Sequence, residues 1–256
     1  MSDEVRYERR GAAAVLTIDR PARRNAVDGP TAEALEAGFH RFEADDDARV
    51  LVLTGAGGVA FCAGADLTAI ATLGPRLESE GGPLGFTRLT PSKPTIAAID
   101  GWCVAGGFEL ALWCDLRLAS ETSRLGCTER RFGVPLVDGG TQRLPRIVGQ
   151  GRALDLVLTG RVIDAREAHG MGLLTEVLPE GRSVVDRAVE LADELAAFPQ
   201  ETMLADRAAL LASFGHPLEE GLALEARSGP ATYRAAQQGA ARFADGQGRG
   251  ASGVRG

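Results

Sequence analysis

An α/β fold is what this 256-residue sequence predicts, and three observations predict it. Short apolar runs rich in β-branched residues alternate with helical periodicity through the first half. Glycine and proline turns close those runs. After about residue 140 strands almost vanish, and apolar residues recur at helical spacing.

Ala13 to Asp19 is the first expected strand, ended by Arg20-Pro21. Thr31 to Phe42 follows as a helix with Ala34, Leu35, Phe39 and Phe42 on one face, Thr31 standing behind a proline as its start. Val50 to Thr54 reads as the next strand, stopped by Gly55-Ala56-Gly57-Gly58. Thr95 to Ile99, Gly107 to Trp113 and Leu116 to Ala119 repeat the strand, helix, strand order, and such alternation is the mark of an α/β fold. Further helices are expected over Arg152 to Leu158, Val184 to Phe198, Glu201 to Ser213 and Leu218 to Arg227. The expected organisation is a core over 1–195, a helical subdomain over 196–245 and a disordered tail over 246–256, where five of eleven residues are glycine. Gly74 to Pro94 has no regular pattern and is expected to be a mobile wall of a pocket.

With 45% hydrophobic and 25% charged residues the chain can bury a sizeable core. Its formal charge of -7 argues against a global attraction to nucleic acid or anionic membrane, so an anionic ligand must meet local basic groups. The acidic start Met1-Ser2-Asp3-Glu4 is the opposite of a secretory signal, and no apolar run approaches the roughly 18 residues of a membrane span. Cys62, Cys103, Cys114 and Cys127, spaced by 41, 11 and 13 residues, form no CxxC and have no histidine at zinc-ligand spacing. Four reduced thiols in a cytoplasmic protein are expected.

Two small-residue turns stand out. Phe61-Cys62-Ala63-Gly64-Ala65-Asp66-Leu67 follows a predicted strand, and its small residues let backbone amides approach a ligand, although a tight turn against the core reads as well from these residues alone. In Gly101 to Leu110 a strand end runs through Gly106-Gly107 into a helix, whose first amides are unpaired and carry the positive end of the helix dipole. Two such amides converging on a thioester oxygen would form an oxyanion hole. Glu109 lies one turn into that helix, and Glu129 comes twenty residues later. A pair of acids beside an oxyanion hole suits addition of water across a conjugated double bond, one handling water's proton and the other the carbon's. Singly, each glutamate reads as a solvated surface residue before it reads as a catalyst, since buried glutamate is rare.

These motifs resemble the crotonase (enoyl-CoA hydratase) family. The likeness is carried by FCAGADL (Phe61 to Leu67), AIDGWCVAGGFELALWCDLRLAS (Ala98 to Ser120) and GGTQRLPRIVG (Gly139 to Gly149), with weaker similarity from Asp19-Arg20-Pro21 and Asn25-Ala26 to Leu218–Arg227. The resemblance implies a spiral of β-β-α units with C-terminal helices that build homotrimers or homohexamers. It implies a lyase that adds water syn to a 2-enoyl-CoA, giving a 3-hydroxyacyl-CoA, with Glu109 activating the water and Glu129 protonating the alpha carbon. The amides of Ala65 and Gly106 would be the oxyanion donors. Arg24, Ala63, Ala65, Asp66, Leu67 and Gly106 would contact the substrate, with coenzyme A near the cluster Arg20, Arg23 and Arg24; a solvated turn is the other reading of those arginines. No metal or redox cofactor is implied, since coenzyme A enters with the substrate.

One departure bears on the chemistry. Hydratases of the family usually carry Pro-Gly-Ala-Gly-Gly before TQRL, whereas this chain has Leu136-Val137-Asp138-Gly139-Gly140, and Thr128 replaces a usual proline. Asp138 is thus a possible extra acid, or a cap for the helix expected over Thr141 to Ile147. Other crotonase reactions on an acyl thioester, by an isomerase, hydrolase or lyase, stay open, as does a catalytically weak acyl-CoA-binding protein. Δ3,Δ2-Enoyl-CoA isomerases usually keep only the acid matching Glu129, so the second acid favours hydration. Gly55 to Ala60 also fits the dinucleotide pattern GxGxxG/A, a permissive match that should open a helix. His40, His169 and His216 match no catalytic position of the family and are assigned no role.

Overall fold

In a computed structural model, described over residues 4–246, the expected strands form, and they are covered on both faces. The first of two units, Met1–Leu195, begins with β1 (Val5–Arg10), β2 (Ala13–Ile18), α1 (Gly29–Ala44), β3 (Val50–Gly55) and β4 (Ala60–Cys62). It continues through β5 (Thr95–Ile99), β6 (Trp102–Val104), α2 (Gly106–Trp113), β7 (Leu116–Ser120) and β8 (Arg124–Gly126). Next come α3 (Gly140–Val148), α4 (Gln150–Thr159), β9 (Val162–Asp164), α5 (Ala165–Gly170), β10 (Glu176–Leu178) and α6 (Val184–Ala196).

Two sheets result, one ordered β1-β2-β3-β5-β7-β10 and the other β4-β6-β8-β9. The pairs β3 and β4, β5 and β6, and β7 and β8 each put one strand into each sheet, so the chain climbs as a spiral of parallel strands. Parallel strands are buried on both sides and therefore read as unbroken apolar runs. Leu16, Leu51, Leu53, Ala97 and Ile99 point into one core, joined by Leu35, Phe39 and Phe42 of α1. Val15, Val50, Val52, Ile96 and Ala98 point the other way, against Val184, Ala188 and Ala192 of α6. α1 starts two residues before Thr31, at Gly29, where the Asp28 side chain caps it by accepting from the Thr31 amide.

Five strands were outside the sequence expectation. β1 carries alternating charges on an antiparallel edge, and β4, β8, β9 and β10 are three residues each, too short for periodicity to register. Gly55 to Ala60 leads from β3 into β4, a strand rather than a helix, which removes the dinucleotide reading. The wall over 74–94 differs from a loose segment: Gly81 to Thr87 are all buried.

The second unit, Ala196–Gly256, holds α7 (Gln200–Ala212) and α8 (Leu218–Ala244), which pack on each other. α8 runs far past Arg227, carrying Pro230 inside it. Neither helix has a buried residue, and Leu210, Phe214, Leu218, Leu222, Tyr233 and Phe243 are exposed. The expected tail, from residue 247 on, lies outside the described residues. Among the described residues no helix is long and apolar enough to cross a membrane.

One buried side chain stitches the front of the spiral. Asn25 is fully buried in the left-handed region at φ 57°, a conformation asparagine tolerates better than most residues. Its Oδ1 accepts from the Arg20 amide at 2.9 Å, and its Nδ2 donates to the carbonyls of Ala56 at 2.9 Å and Ala60 at 2.6 Å. Asn25→Ala leaves three backbone groups without this partner, the buried Ala60 carbonyl and the half-buried Arg20 amide and Ala56 carbonyl, at about 1–3 kcal/mol for the buried one and less for the others. A loss of about 2–4 kcal/mol in urea unfolding is expected; a loss under about 1 kcal/mol would show that Asn25 does not hold these turns together.

Candidate active site

The ends of β4 and β6 lie level because Cys62 and Cys103 are partners in the parallel register. The turns that leave them meet where only glycine fits: a Cβ on Gly64, at φ +90°, would stand 2.7 Å from the Gly106 amide nitrogen. A Cβ on Gly106 would lie 3.6 Å from the Ala65 amide nitrogen. The two amides singled out in the sequence are therefore neighbours. Among the described residues neither donates to another group of the chain. Ala105, just before α2, has φ 52° and ψ -130°, a strained conformation for a residue with a side chain.

Both amides open onto a cavity of about 500 Å³. Ala63, Ala65, Asp66, Leu67, Gly106, Glu109, Glu129 and Asp138 line it, together with apolar groups that include Ile70, Leu73, Leu77, Leu84, Phe132 and Val137. Of the residues expected at the site, Arg24 is the one missing from this lining. Its side chain is exposed, while its carbonyl accepts from the Ala63 amide at 3.1 Å, so it sits on the turn that flanks the cavity. Arg20 turns inward and pairs with Asp28 at 2.7 Å, Asp66 at 3.4 Å and Glu4 at 3.2 Å. Asp66 also accepts from the Thr68 amide and hydroxyl, so its carboxylate serves the turn as a cap, and the Thr68 bonds help hold its pKa low.

The two glutamates are 3% and 4% exposed. Oε1 of Glu109 accepts from the amides of Asp138 at 3.0 Å and Gly140 at 2.7 Å. Burial pushes the Glu109 carboxyl up to about 7; the Gly140 amide opposes that shift, and the nearby carboxylates of Asp138 and Glu129 add to it. Glu129 is raised too, again chiefly by burial. Neither of its carboxyl oxygens has a partner among the described residues, a costly state for a buried polar group unless a ligand supplies one.

Asp138 departs from its expected place as a helix cap. Gly139, at φ 100°, is the N-cap of α3 and has no side chain to cap with, and the first amide of that helix, Gly140, donates to Glu109 rather than to Asp138. The Asp138 carboxylate instead accepts from the Leu84 amide at 3.0 Å and the Thr87 hydroxyl at 2.5 Å. Burial raises its pKa against those two bonds. Sequence reasoning missed Leu84, Thr87 and Arg143 at the site; Leu84 and Phe86 amid Gly81-Gly82-Pro83 and Gly85 were the available sign of a loop packed inward.

The enoyl-CoA hydratase/isomerase family model matches residues 8–247. The chain is 40% identical over 209 residues to a mevalonyl-coenzyme A hydratase of Beauveria bassiana, covering 77% of this chain and 74% of that one. It is 38% identical to an enoyl-CoA hydratase of Mycobacterium tuberculosis, over 74% of this chain and 73% of the other. The crystal structure of an enoyl-CoA hydratase from Mycobacterium marinum superposes with a TM-score of 0.88 at 35% identity, covering 94% and 96% of the two chains.

The raised carboxyl of Glu109 carries a stability cost with a definite sign. An acid whose folded pKa, about 7 here, exceeds its unfolded value of about 4.3 keeps its proton longer in the folded chain. Folding therefore keeps its full stability below pH 4 and loses free energy as the pH rises from 4 through 7. Glu109→Gln removes that loss, so the variant should gain about 3 kcal/mol on the wild type at pH 8 beyond any difference at pH 4. Urea unfolding at the two pH values checks this, and an equal difference at both would contradict it.

Proposed function

Because the chain belongs to the enoyl-CoA hydratase/isomerase family, we propose that it hydrates 2-enoyl-CoA thioesters to 3-hydroxyacyl-CoA, using Glu109 and Glu129 as the acid-base pair. The observation that carries this reading is one apolar cavity holding two free amides and two buried carboxyls. The thioester oxygen sits between the amides of Ala65 and Gly106. Glu109, held through Oε1, uses its other oxygen to take a proton from water as the hydroxyl bonds to the beta carbon. The displaced electron pair moves onto the thioester oxygen, where one amide donor is typically worth about 2.7–4 kcal/mol of barrier. Glu129 returns a proton to the alpha carbon, and the carbonyl re-forms. Protonated Glu109 and ionised Glu129 then exchange their proton through solvent, and no metal or redox group enters the balance.

Neighbouring features support the substrate class. The lining beyond the acids is almost wholly apolar, as an acyl chain requires. Exposed Arg23 and Arg24 flank the cavity on a chain whose net charge is -7, a local basic patch for the phosphates of coenzyme A. A homotrimer or homohexamer would cover the exposed Leu210, Phe214, Leu218 and Leu222 of the second unit. Four buried free thiols suit the reducing cytoplasm. A different reaction on the same thioesters, above all isomerisation, is the second reading, favoured by Val137 where hydratases usually have glycine.

Assay of a panel of enoyl-CoA thioesters for hydration and isomerisation tests the reading, and isomerisation without hydration would overturn it. Glu109→Gln and Glu129→Gln should each lower hydration turnover at least about a hundredfold, with thioester binding largely kept. Near-normal turnover in either variant removes that residue from the mechanism. Sedimentation should give a trimer or hexamer, and a clean monomer at micromolar concentration would rule the assembly out.

A further inference from the structure

Asp138 joins two parts of the site that lie more than fifty residues apart in sequence, Thr87 being 51 and Leu84 being 54 positions away. It is 3% exposed and gripped on three sides. Its carboxylate holds the Leu84 amide and the Thr87 hydroxyl, as described above. Its carbonyl accepts from Arg143 Nη1 at 2.8 Å, while Nη2 of the same guanidinium donates to the Thr87 carbonyl at 2.6 Å. Its own amide donates to Glu109 Oε1. The carbonyl of the preceding Val137 accepts from Arg88 Nη2 at 3.3 Å, a further tie to the same loop.

Leu84 gives these ties a link to the ligand. It lines the cavity, and a Cβ on Gly106 would come within 2.6 Å of its Cδ1, so its side chain stands against the turn that presents the Gly106 amide. One residue thus touches the acyl space with its side chain and orients Asp138 with its backbone.

On the hydratase reading above, we propose that Asp138 is a positioning residue: its carboxylate ties the 82–88 loop, which walls the acyl space, to the backbone amide that holds Glu109. Its side chain takes no part in proton transfer. It acts through Glu109, by fixing the amide on which Oε1 rests, and through Leu84, by fixing the wall beside the oxyanion turn. An acyl group that fills the space at Leu84 presses on the same anchor, so chain length is read in turnover as well as in affinity.

The test combines four variants, Asp138→Ala, Asp138→Asn, Thr87→Val and Thr87→Ser, with steady-state kinetics and hydrogen–deuterium exchange on the full chain. Asparagine keeps an acceptor oxygen and serine keeps the hydroxyl, so both preserve the tether. Asp138→Ala and Thr87→Val should lower kcat by about tenfold to a hundredfold, the scale of a small misplacement of a reacting group, with KM changed by less than about threefold. The Asn and Ser variants should stay within about fivefold of the wild type, because the tether is weakened by no more than about the worth of one neutral hydrogen bond. Exchange in Asp138→Ala should rise together over 82–88 and 138–142, and Thr87→Val supplies the same reading if the Ala variant does not fold. Asparagine as damaging as alanine would make Asp138 a third acid and overturn the proposal. A lowered Tm with unchanged kcat, or faster exchange over 82–88 alone, would overturn it equally. If the wild type hydrates no enoyl thioester, the functional reading falls by itself, and the exchange pattern still decides whether the tether exists.

Discussion

The site depends on two backbone turns lying closer together than side chains permit. Gly64 and Gly106 meet, and a Cβ on Gly107 would fall 2.0 Å from the Cys62 carbonyl oxygen, so the start of α2 is set against β4 with no room for a methyl group. That contact needs the parallel register of β4 and β6, which in turn needs the β3 and β5 strands beside them in the spiral. Ala105 sits at the joint in a conformation that costs of the order of 1–3 kcal/mol. It is held there by its neighbours: its amide donates to the Gly126 carbonyl, and its own carbonyl accepts from the amides of Phe108 and Glu109. A strained residue fixed from three directions keeps its amide neighbour, Gly106, aimed into the cavity.

Electrostatics then divide the carboxyls of the cavity among different tasks. Glu109, Glu129 and Asp138 are all buried; no lysine, arginine or histidine lines the cavity, and the arginines outside it, Arg130 near Glu129 and Arg88 and Arg143 near Asp138, only partly offset the rise that burial causes. What separates them is hydrogen bonding. Asp138 accepts two donors on one oxygen, Glu109 accepts two backbone amides, one of them the first of α3, and Glu129 accepts none. A carboxyl held by amides keeps a fixed orientation for its free oxygen, whereas an unpartnered one is free to deliver its proton to whatever enters. Because Asp138 and Glu129 each raise Glu109, protonation belongs to the group of acids rather than to one residue.

Much of this was legible in the amino-acid order, for reasons that also mark where reading stops. Val50 to Thr54 and Thr95 to Ile99 announce themselves because a strand covered on both faces is apolar throughout. The turns at Gly64 and Gly106 stood out because close backbone approach selects glycine and leaves a local trace, whereas the choice of the Ala65 amide and the role of Glu109 came from the family resemblance. The partners of Asp138 left none. Leu84 and Thr87 reach it through an amide and a hydroxyl across more than fifty residues, and nothing in the spacing of such groups encodes that meeting. For the same reason Asp138 looked like a cap for the adjacent helix, the nearest set of open donors, until Gly139 proved to hold that position. Arg20, Arg23 and Arg24 read as one basic cluster, yet Arg20 faces three carboxylates and the other two face solvent; charge alone does not say which way a side chain turns.

The four cysteines give the first unit a chemical clock. Cys62, Cys103, Cys114 and Cys127 are all buried, and burial raises each thiol above its ordinary pKa, with Cys62, Cys114 and Cys127 pushed up to about 12. A thiol reacts as its thiolate, so in the closed protein each sulfur is both shielded and held in its unreactive form. Alkylating reagents can modify them only during excursions in which the spiral parts around β4, β6 or α2. The speed at which an added maleimide consumes each sulfur therefore measures how often that part of the architecture opens, site by site, without any reporter having to be introduced.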